Sequence, residues 1–360
     1  WFHCASLGEF EQGRPVIEEI RKRKPGSVIL LTFFSPSGYE IRKNYAGADF
    51  VTYLPLDSPE NARRFLDKVK PDIALFVKYE FWYFFLRELY KRNIPVILIS
   101  AIFRPNQLFF RWYGRFYRKM LQYFTKIFVQ DPDSKHLLER YGIMNVETSG
   151  DTRFDRVKMI ASKPRHIPVA ESFAKDHTVV VAGSTWPEDE KILLKYIRRD
   201  NRPYRWIIAP HEIHVNHLAG IKAALGEKAE FFSRIKDLPE HDINVLIIDN
   251  VGMLSSLYSL ADIAYVGGGF GKGIHNILEA AVFGIPVIFG PNYKRFREAN
   301  ELAEFKTVFP VSSYSETEKL LNRFFDDPEM RKNLGEKNRH FINERTSATG
   351  QIVNNMLTII

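Results

Sequence analysis

The stretch Gly267–Pro291, GGGFGKGIHNILEAAVFGIPVIFGP, follows an apolar run at Ala261–Val266 and contains a second one at Pro286–Phe289. Between them five glycines (Gly267, Gly268, Gly269, Gly271, Gly273) make a turn, and His275-Asn276-Ile277-Leu278-Glu279 reads as the opening of a helix. Strand, glycine turn, helix and strand in that order form a βαβ unit, with parallel strands in a covered sheet. Such a turn suits an anion. Amides unshielded by Cβ atoms approach it closely, and the helix end favours negative charge. Glu279 stands three residues after Asn276, the spacing of a capping box, and one turn into the helix, within reach of a sugar hydroxyl. The turn is neither GxGxxG nor GxxxxGK[ST]. Alone, it supports a capped helix and an anion seat equally.

Similar units recur on both sides. Apolar, β-branched runs at Ser27–Phe33, Phe50–Leu54, Asp72–Val77, Pro95–Ile99, Lys126–Gln130 and near Val146 alternate with helical patterns. After a stretch with two prolines, Ala161–Pro168, the pattern restarts at Thr178–Ala182, Trp206–Ala209 and Asn244–Ile248. The expectation is an α/β protein of two Rossmann-like, doubly wound domains facing across a cleft. The first spans 1–163 and the second 164–345, with a terminal helix in 346–360 packing back on the first.

Composition excludes several classes. Cys4 is the only cysteine in 360 residues, so neither an intrachain disulfide nor a cysteine metal cluster is available. No apolar run approaches the roughly 20 residues that span a bilayer. The net charge of +8 favours an anionic partner. From Phe103 to Lys126 stand Arg104, Arg111, Arg115, Arg118, Lys119 and Lys126, without one acid and amid nine aromatic residues that include Trp112, Tyr113 and Phe116. At helical spacing Phe109, Trp112, Tyr113, Phe116 and Met120 share one face. The segment 103–126 is therefore expected to form an amphipathic helix that meets an anionic membrane surface or, as for most amphipathic helices, covers a core. No RNP, KH or zinc-finger pattern supports a nucleic-acid partner.

Candidate chemistry gathers where strands end. Glu9 follows the strand Trp1–Ala5 through Ser6-Leu7-Gly8, placed either as a capping-box acid or as a base for a hydroxyl. The S/T-x-x-E signature recurs at Ser37–Glu40 and Thr185–Glu188. Glu80 lies among seven aromatics in LFVKYEFWYFF, where burial demands a partner such as Lys78 or Arg87. Ala182-Gly183-Ser184-Thr185-Trp186 and Ala209-Pro210-His211-Glu212-Ile213-His214 are further strand-to-helix turns. The two histidines lack HExxH spacing and a third ligand, so no metal is expected.

Taken together, HCASLGE (His3–Glu9), LTFFSPSG (Leu31–Gly38), VKYEFW (Val77–Trp82), SGDTRFD (Ser149–Asp155), AGSTWPEDE (Ala182–Glu190) and the Gly267–Pro291 block resemble the family of 3-deoxy-D-manno-octulosonic acid (Kdo) transferases. These are inverting glycosyltransferases of lipopolysaccharide assembly. The resemblance implies a GT-B fold and transfer of Kdo from CMP-Kdo to a lipid A precursor of the tetraacyldisaccharide bisphosphate type, without metal or cofactor. It also implies work at the cytoplasmic face of the bacterial inner membrane, with an N-terminal anchor segment ahead of residue 1. By position, Glu9 matches the general base, and Glu80, Ser37 and Gly38 the acceptor side. Arg153, Ser184, Thr185, His211, Gly268, Gly269, Lys272, Gly273, Asn276 and Glu279 match the donor side.

Three departures accompany the resemblance. An expected arginine before His211 is Pro210, with His214, Lys294 or Arg295 as replacements. The HNxLE block lacks both flanking prolines, and SGN becomes Ser149-Gly150-Asp151, with Arg153 in place of lysine. Two alternatives stay open: another GT-B enzyme using a UDP-sugar, transferase or epimerase, and a non-catalytic binder at the membrane surface.

Overall fold

A computed structural model describes residues 1–235 and 243–359. The chain folds as two compact units, Trp1–Arg156 with Arg345–Ile360, and Val157–Glu344. Each is built on one seven-stranded sheet.

The first unit holds β1 (Phe2–His3), β2 (Leu30–Phe33), β3 (Phe50–Tyr53), β4 (Ala74–Val77), β5 (Val96–Ala101), β6 (Lys126–Val129) and β7 (Val146–Thr148). They lie in the order β3-β2-β1-β4-β5-β6-β7, all pairs parallel. The inner strands β4 and β5 are buried along their whole length, which is why they read as near-continuous apolar runs. Side chains alternate between two cores: Leu75 and Val77 join one, Ala74 and Phe76 the other.

The second unit holds β8 (Val179–Thr185), β9 (Arg205–Pro210), β10 (Ala229–Phe231), β11 (Val245–Ile247), β12 (Ile263–Val266), β13 (Val287–Phe289) and β14 (Val308–Pro310). Its order is β10-β11-β9-β8-β12-β13-β14, again all parallel. Strand order reverses beside β1 and β4 in the first sheet and beside β8 and β12 in the second. Open α/β sheets bind ligands outside the strand C-termini at such points.

The last helix, Ala348–Ile359, belongs to the first unit. Its Ile352, Val353 and Met356 share an apolar cluster with Phe10, Val16, Ile17 and Ile20 of the helix Leu7–Arg23. Each fully buried side chain of this size contributes about 1.5–3 kcal/mol. Asp155 fixes the helix start, accepting from the Ser347 amide at 2.7 Å and the Thr349 amide at 2.8 Å. The units divide at 156/157 rather than at the 163/164 of the sequence reading, because the helix Thr152–Ser162 runs through the division.

The segment 103–126 is not one amphipathic helix. A single 3-10 turn, Leu108–Phe110, is followed by a short helix, Arg115–Leu121. Gly114 makes the fold-back between them, and a Cβ there would lie 2.1 Å from the Leu108 carbonyl oxygen. The expected common face is split: Phe109 and Met120 enter the core, whereas Trp112 is 92% exposed and Tyr113 and Phe116 are each 52% exposed.

Candidate functional site

In the second unit the glycine turn leaves β12 at the switch point, opposite the end of β8. Its shape is set by contacts that exclude side chains. A Cβ on Gly269 would stand 2.6 Å from Gly290 Cα, and Gly268 has φ +90° and Gly273 φ +130°, values that favour glycine. Most of the turn's amides are used internally. The Gly267 amide donates to the Gly183 carbonyl at 2.9 Å, and the Gly271 and Gly273 amides donate to the Gly268 carbonyl at 3.1 and 3.0 Å. The Gly268 amide donates to Asp189 Oδ2 at 2.8 Å. Those of Gly269 and Lys272 make no hydrogen bond among the described residues.

Asp189 is fully buried and also accepts from the Tyr265 hydroxyl at 2.8 Å and the Trp186 amide at 3.0 Å. Burial raises its carboxyl above the usual range, while these three donors pull the other way. The expected cap at Thr185–Glu188 is therefore not the one formed: Asp189 caps Trp186, and Thr185 Oγ1 donates to Glu190 at 2.9 Å. Glu190 also meets His217 Nε2 at 3.1 Å.

The strand end itself is strained. Ser184 has φ +53°, and β8 slips register against β9 between Gly183 and Thr185. A Cβ on Gly183 would meet the Tyr258 hydroxyl at 2.2 Å. Tyr258 is buried, and burial together with the Glu279 charge raises its phenol far above the ordinary value. The sequence reading missed Tyr258 because nothing local marks it; only the close approach of Gly183 does.

The expected helix opening is shorter than read. Helix Leu278–Ala281 is a single turn, preceded by His275 and Asn276, which leaves little helix dipole for an anion. Asn276 Nδ2 does donate to Glu279 Oε1, at 3.2 Å, and Asn276 Oδ1 accepts from the Leu278 amide at 3.2 Å. Three rings close this end. Trp186 stacks on His211 with centroids 4.6 Å apart, His211 and His275 lie 4.5 Å apart, and Trp186 Nε1 donates to His275 Nε2 at 3.0 Å.

In the first unit, Glu9 and Glu80 follow β1 and β4, the two strands of that switch point. Glu9 Oε2 accepts from the Ser6 amide at 2.8 Å and from the Ser6 hydroxyl, so the capping box is formed. Glu80 is buried, but its partners are not Lys78 or Arg87. Trp82 Nε1 donates to Glu80 Oε2 at 2.5 Å and His3 Nε2 lies 3.1 Å from it. Thr32 Oγ1 holds the other ring nitrogen of His3 at 2.9 Å and accepts from the Trp1 indole at 2.8 Å. Gly38 lets the helix Pro36–Arg42 pack closely, since a Cβ there would lie 2.3 Å from the Phe33 ring. Ser37 does not cap through Glu40. Its amide donates to Ser35 Oγ at 3.3 Å, and Glu40 pairs with Lys43 at 2.9 Å.

Residues 1–156 match the family described as 3-Deoxy-D-manno-octulosonic-acid transferase (kdotransferase), and residues 216–341 match Glycosyl transferases group 1. The 3-deoxy-D-manno-octulosonic acid transferase of Aquifex aeolicus is 30% identical over 84% of this chain and 79% of its own length. The chain belongs to the Kdo transferase family. That of Rickettsia bellii is 28% identical over 95% of this chain and 83% of its own. Among solved structures, UDP-GlcNAc 2-epimerase from Neisseria meningitidis has a TM-score of 0.69 at 20% identity, covering 99% of each chain. MurG of Acinetobacter baumannii has a TM-score of 0.61 at 12% identity, covering 99% of this chain and 98% of that one. These likenesses concern the fold, which is GT-B.

Two of the departures resolve into local pairs in this Kdo transferase family member. Arg153 Nε and Nη2 fork onto Asp151 Oδ2 at 2.9 and 2.7 Å, and the Arg153 amide donates to Oδ1 at 2.9 Å. The pair belongs to the first unit and the glycine turn to the second. Of the three proposed replacements for the missing arginine, Arg295 reaches the turn: its Nη2 donates to the Lys272 carbonyl, and a Cβ on Gly273 would meet it at 2.5 Å. Among the described residues no group of three or more histidine, cysteine, aspartate or glutamate side chains is placed to hold a metal ion.

Proposed function

We propose that this protein transfers Kdo from CMP-Kdo to a hydroxyl of a lipid A precursor, with inversion at the anomeric carbon. Family membership supports the reaction. The single observation that carries the assignment of roles is that Glu9 and Glu80 flank the switch point of one sheet while the glycine turn occupies that of the other. The first unit supplies acids for the acceptor, the second a seat for the nucleotide.

In this account the acceptor oxygen attacks C2 of Kdo from the face opposite CMP. Glu9 takes the hydroxyl proton through Oε1, because Oε2 is held by Ser6. The bond from C2 to the CMP phosphate oxygen breaks, and CMP leaves with the electron pair. A positioned base contributes about 10²–10⁴-fold. The departing phosphate needs charge stabilisation, which the amides of Gly269 and Lys272, the Lys272 ammonium and Arg295 supply. Glu279, Ser184, Thr185 and Asn276 line the nucleotide side. Glu80 acts through His3 and Trp82 on the acceptor side, with Ser37 and Gly38 beyond it. Arg153, neutralised by Asp151, orients the turn that carries it rather than lending a free charge.

The exposed Leu108, Trp112, Tyr113 and Phe116, with Arg111, Arg115 and Lys119 among them, form the contact with anionic lipid at the cytoplasmic face of the inner membrane. No helix of the described residues is long and apolar enough to cross a membrane. The test is incubation with CMP-Kdo and a tetraacyl disaccharide bisphosphate. The expected result is CMP release with a product heavier by one or more Kdo residues; UDP-sugar turnover without CMP-Kdo turnover contradicts it.

A further inference from the structure

Three side chains from three different strand ends meet beside the glycine turn: Trp186 after β8, His211 after β9 and His275 after β12. An indole nitrogen only donates, and a neutral imidazole has one donor nitrogen and one acceptor. With Trp186 Nε1 3.0 Å from His275 Nε2, Nε2 must be the acceptor. The proton then sits on Nδ1 and the ring is neutral. The fixed geometry around the pair is close: a Cβ on Gly268 would lie 3.1 Å from His275 Cδ2 and 3.4 Å from Nε2, so the Cδ2–Nε2 edge of the imidazole is held against the turn. His275 Nδ1 makes no hydrogen bond among the described residues.

We propose that Trp186 is a positioning residue of the nucleotide seat: it locks His275 as the neutral Nδ1–H tautomer, which then donates one hydrogen bond to a phosphate oxygen of the bound donor. The phosphate role rests on the donor assignment above; the tautomer lock does not.

The surroundings agree. Burial, and after it the neighbouring His211, lower the His275 pKa to about 4, so protonation of Nε2, which would break the Trp186 bond, is opposed. The groups facing this corner are His211 from β9, Asp189 beneath Gly268, already accepting three hydrogen bonds, Glu279 on the one-turn helix, and Lys272 and Arg295 on the rim. Among the described residues no carboxylate is hydrogen-bonded to His275. A second cation is therefore not what His275 brings to the anion. It brings a directed N–H, fixed before the ligand arrives, so little ordering remains at binding.

The experiment is long-range ¹H–¹⁵N correlation NMR of the imidazoles of the full chain at pH 7, without ligand and then with CMP as the probe. The expected free-protein signal for His275, assigned by its absence in His275→Gln, is that of a neutral ring with the proton on Nδ1. CMP should move the Nδ1–H resonance. Trp186→Phe keeps an aromatic ring over His211 but removes the donor, and should lose the single tautomer and weaken CMP about tenfold, the cost of one hydrogen bond. A wild-type ring with its proton on Nε2, or a charged ring, overturns the lock, and this measurement needs no substitution. A Trp186→Phe protein that keeps the Nδ1–H form overturns it as well. A locked ring in a protein that ignores CMP contradicts the donor assignment, while a locked ring whose loss leaves CMP affinity unchanged contradicts the positioning role.

Discussion

The Gly268 amide donates to Asp189 Oδ2 at 2.8 Å, so a carboxylate without solvent exposure anchors the turn of the nucleotide seat. Three donors converge on that one side chain, from Gly268, Tyr265 and Trp186. Replacing Asp189 by alanine leaves them unpaired in the core. Each such group costs about 1–3 kcal/mol. We expect Asp189→Ala to lower the unfolding free energy by at least about 2 kcal/mol in a urea titration and to abolish CMP binding at concentrations that saturate the parent.

Gly183 faces the Tyr258 hydroxyl so closely that a methyl group does not fit. Gly183→Ala should cost about 1–3 kcal/mol through overpacking, visible as a lowered urea midpoint with an unchanged slope.

His275 sets a pH dependence whose sign follows from its lowered pKa. The ring takes up a proton more readily when unfolded, at about 6.5, than when folded, at about 4. Its contribution is full above the unfolded value and is lost as pH falls from about 6.5 through about 4. Allowing for partial exposure, the loss is on the order of 2 kcal/mol. His275→Gln should flatten the stability profile between those limits, measured by urea midpoints at successive pH values.

The exposed aromatic and basic side chains of 108–119 predict an ionic attraction to lipid. Trp112→Ala combined with Arg115→Glu should weaken binding to phosphatidylglycerol vesicles by about tenfold or more, at roughly 1 kcal/mol per basic residue near the surface. Thermal stability should hold, since neither side chain is in the core. Cosedimentation at two salt concentrations separates the charge term from the apolar one.

Much of the fold was legible because a parallel strand, buried on both faces, writes itself as a continuous apolar run. Twelve strand positions were read in this way. β10 and β14 were not: Ala-Glu-Phe and Val-Phe-Pro sit at the sheet edges, are short, and carry a charge or a proline that edge positions tolerate. The 103–126 segment misled because helical spacing says nothing of Gly114, whose fold-back sends Phe109 and Trp112 to opposite environments. At the site, the Ser6–Glu9 box and the Asn276–Glu279 contact are local and were readable. The Trp186–His275 bond spans 89 residues and the Gly268–Asp189 bond 79, and only the strand order brings such partners together.

Glu9 carries the account most heavily, and one substitution separates its two duties. Glu9→Gln keeps the oxygen that accepts from the Ser6 amide but cannot take a proton. The measurement is the single-turnover rate of Kdo transfer from CMP-Kdo to the tetraacyl disaccharide bisphosphate, with CMP affinity and the melting temperature followed alongside. The account predicts a fall of about 10²–10⁴-fold in rate with affinity and melting temperature unchanged. A Glu9→Gln protein that transfers at nearly the parent rate would contradict it and reduce Glu9 to a helix cap.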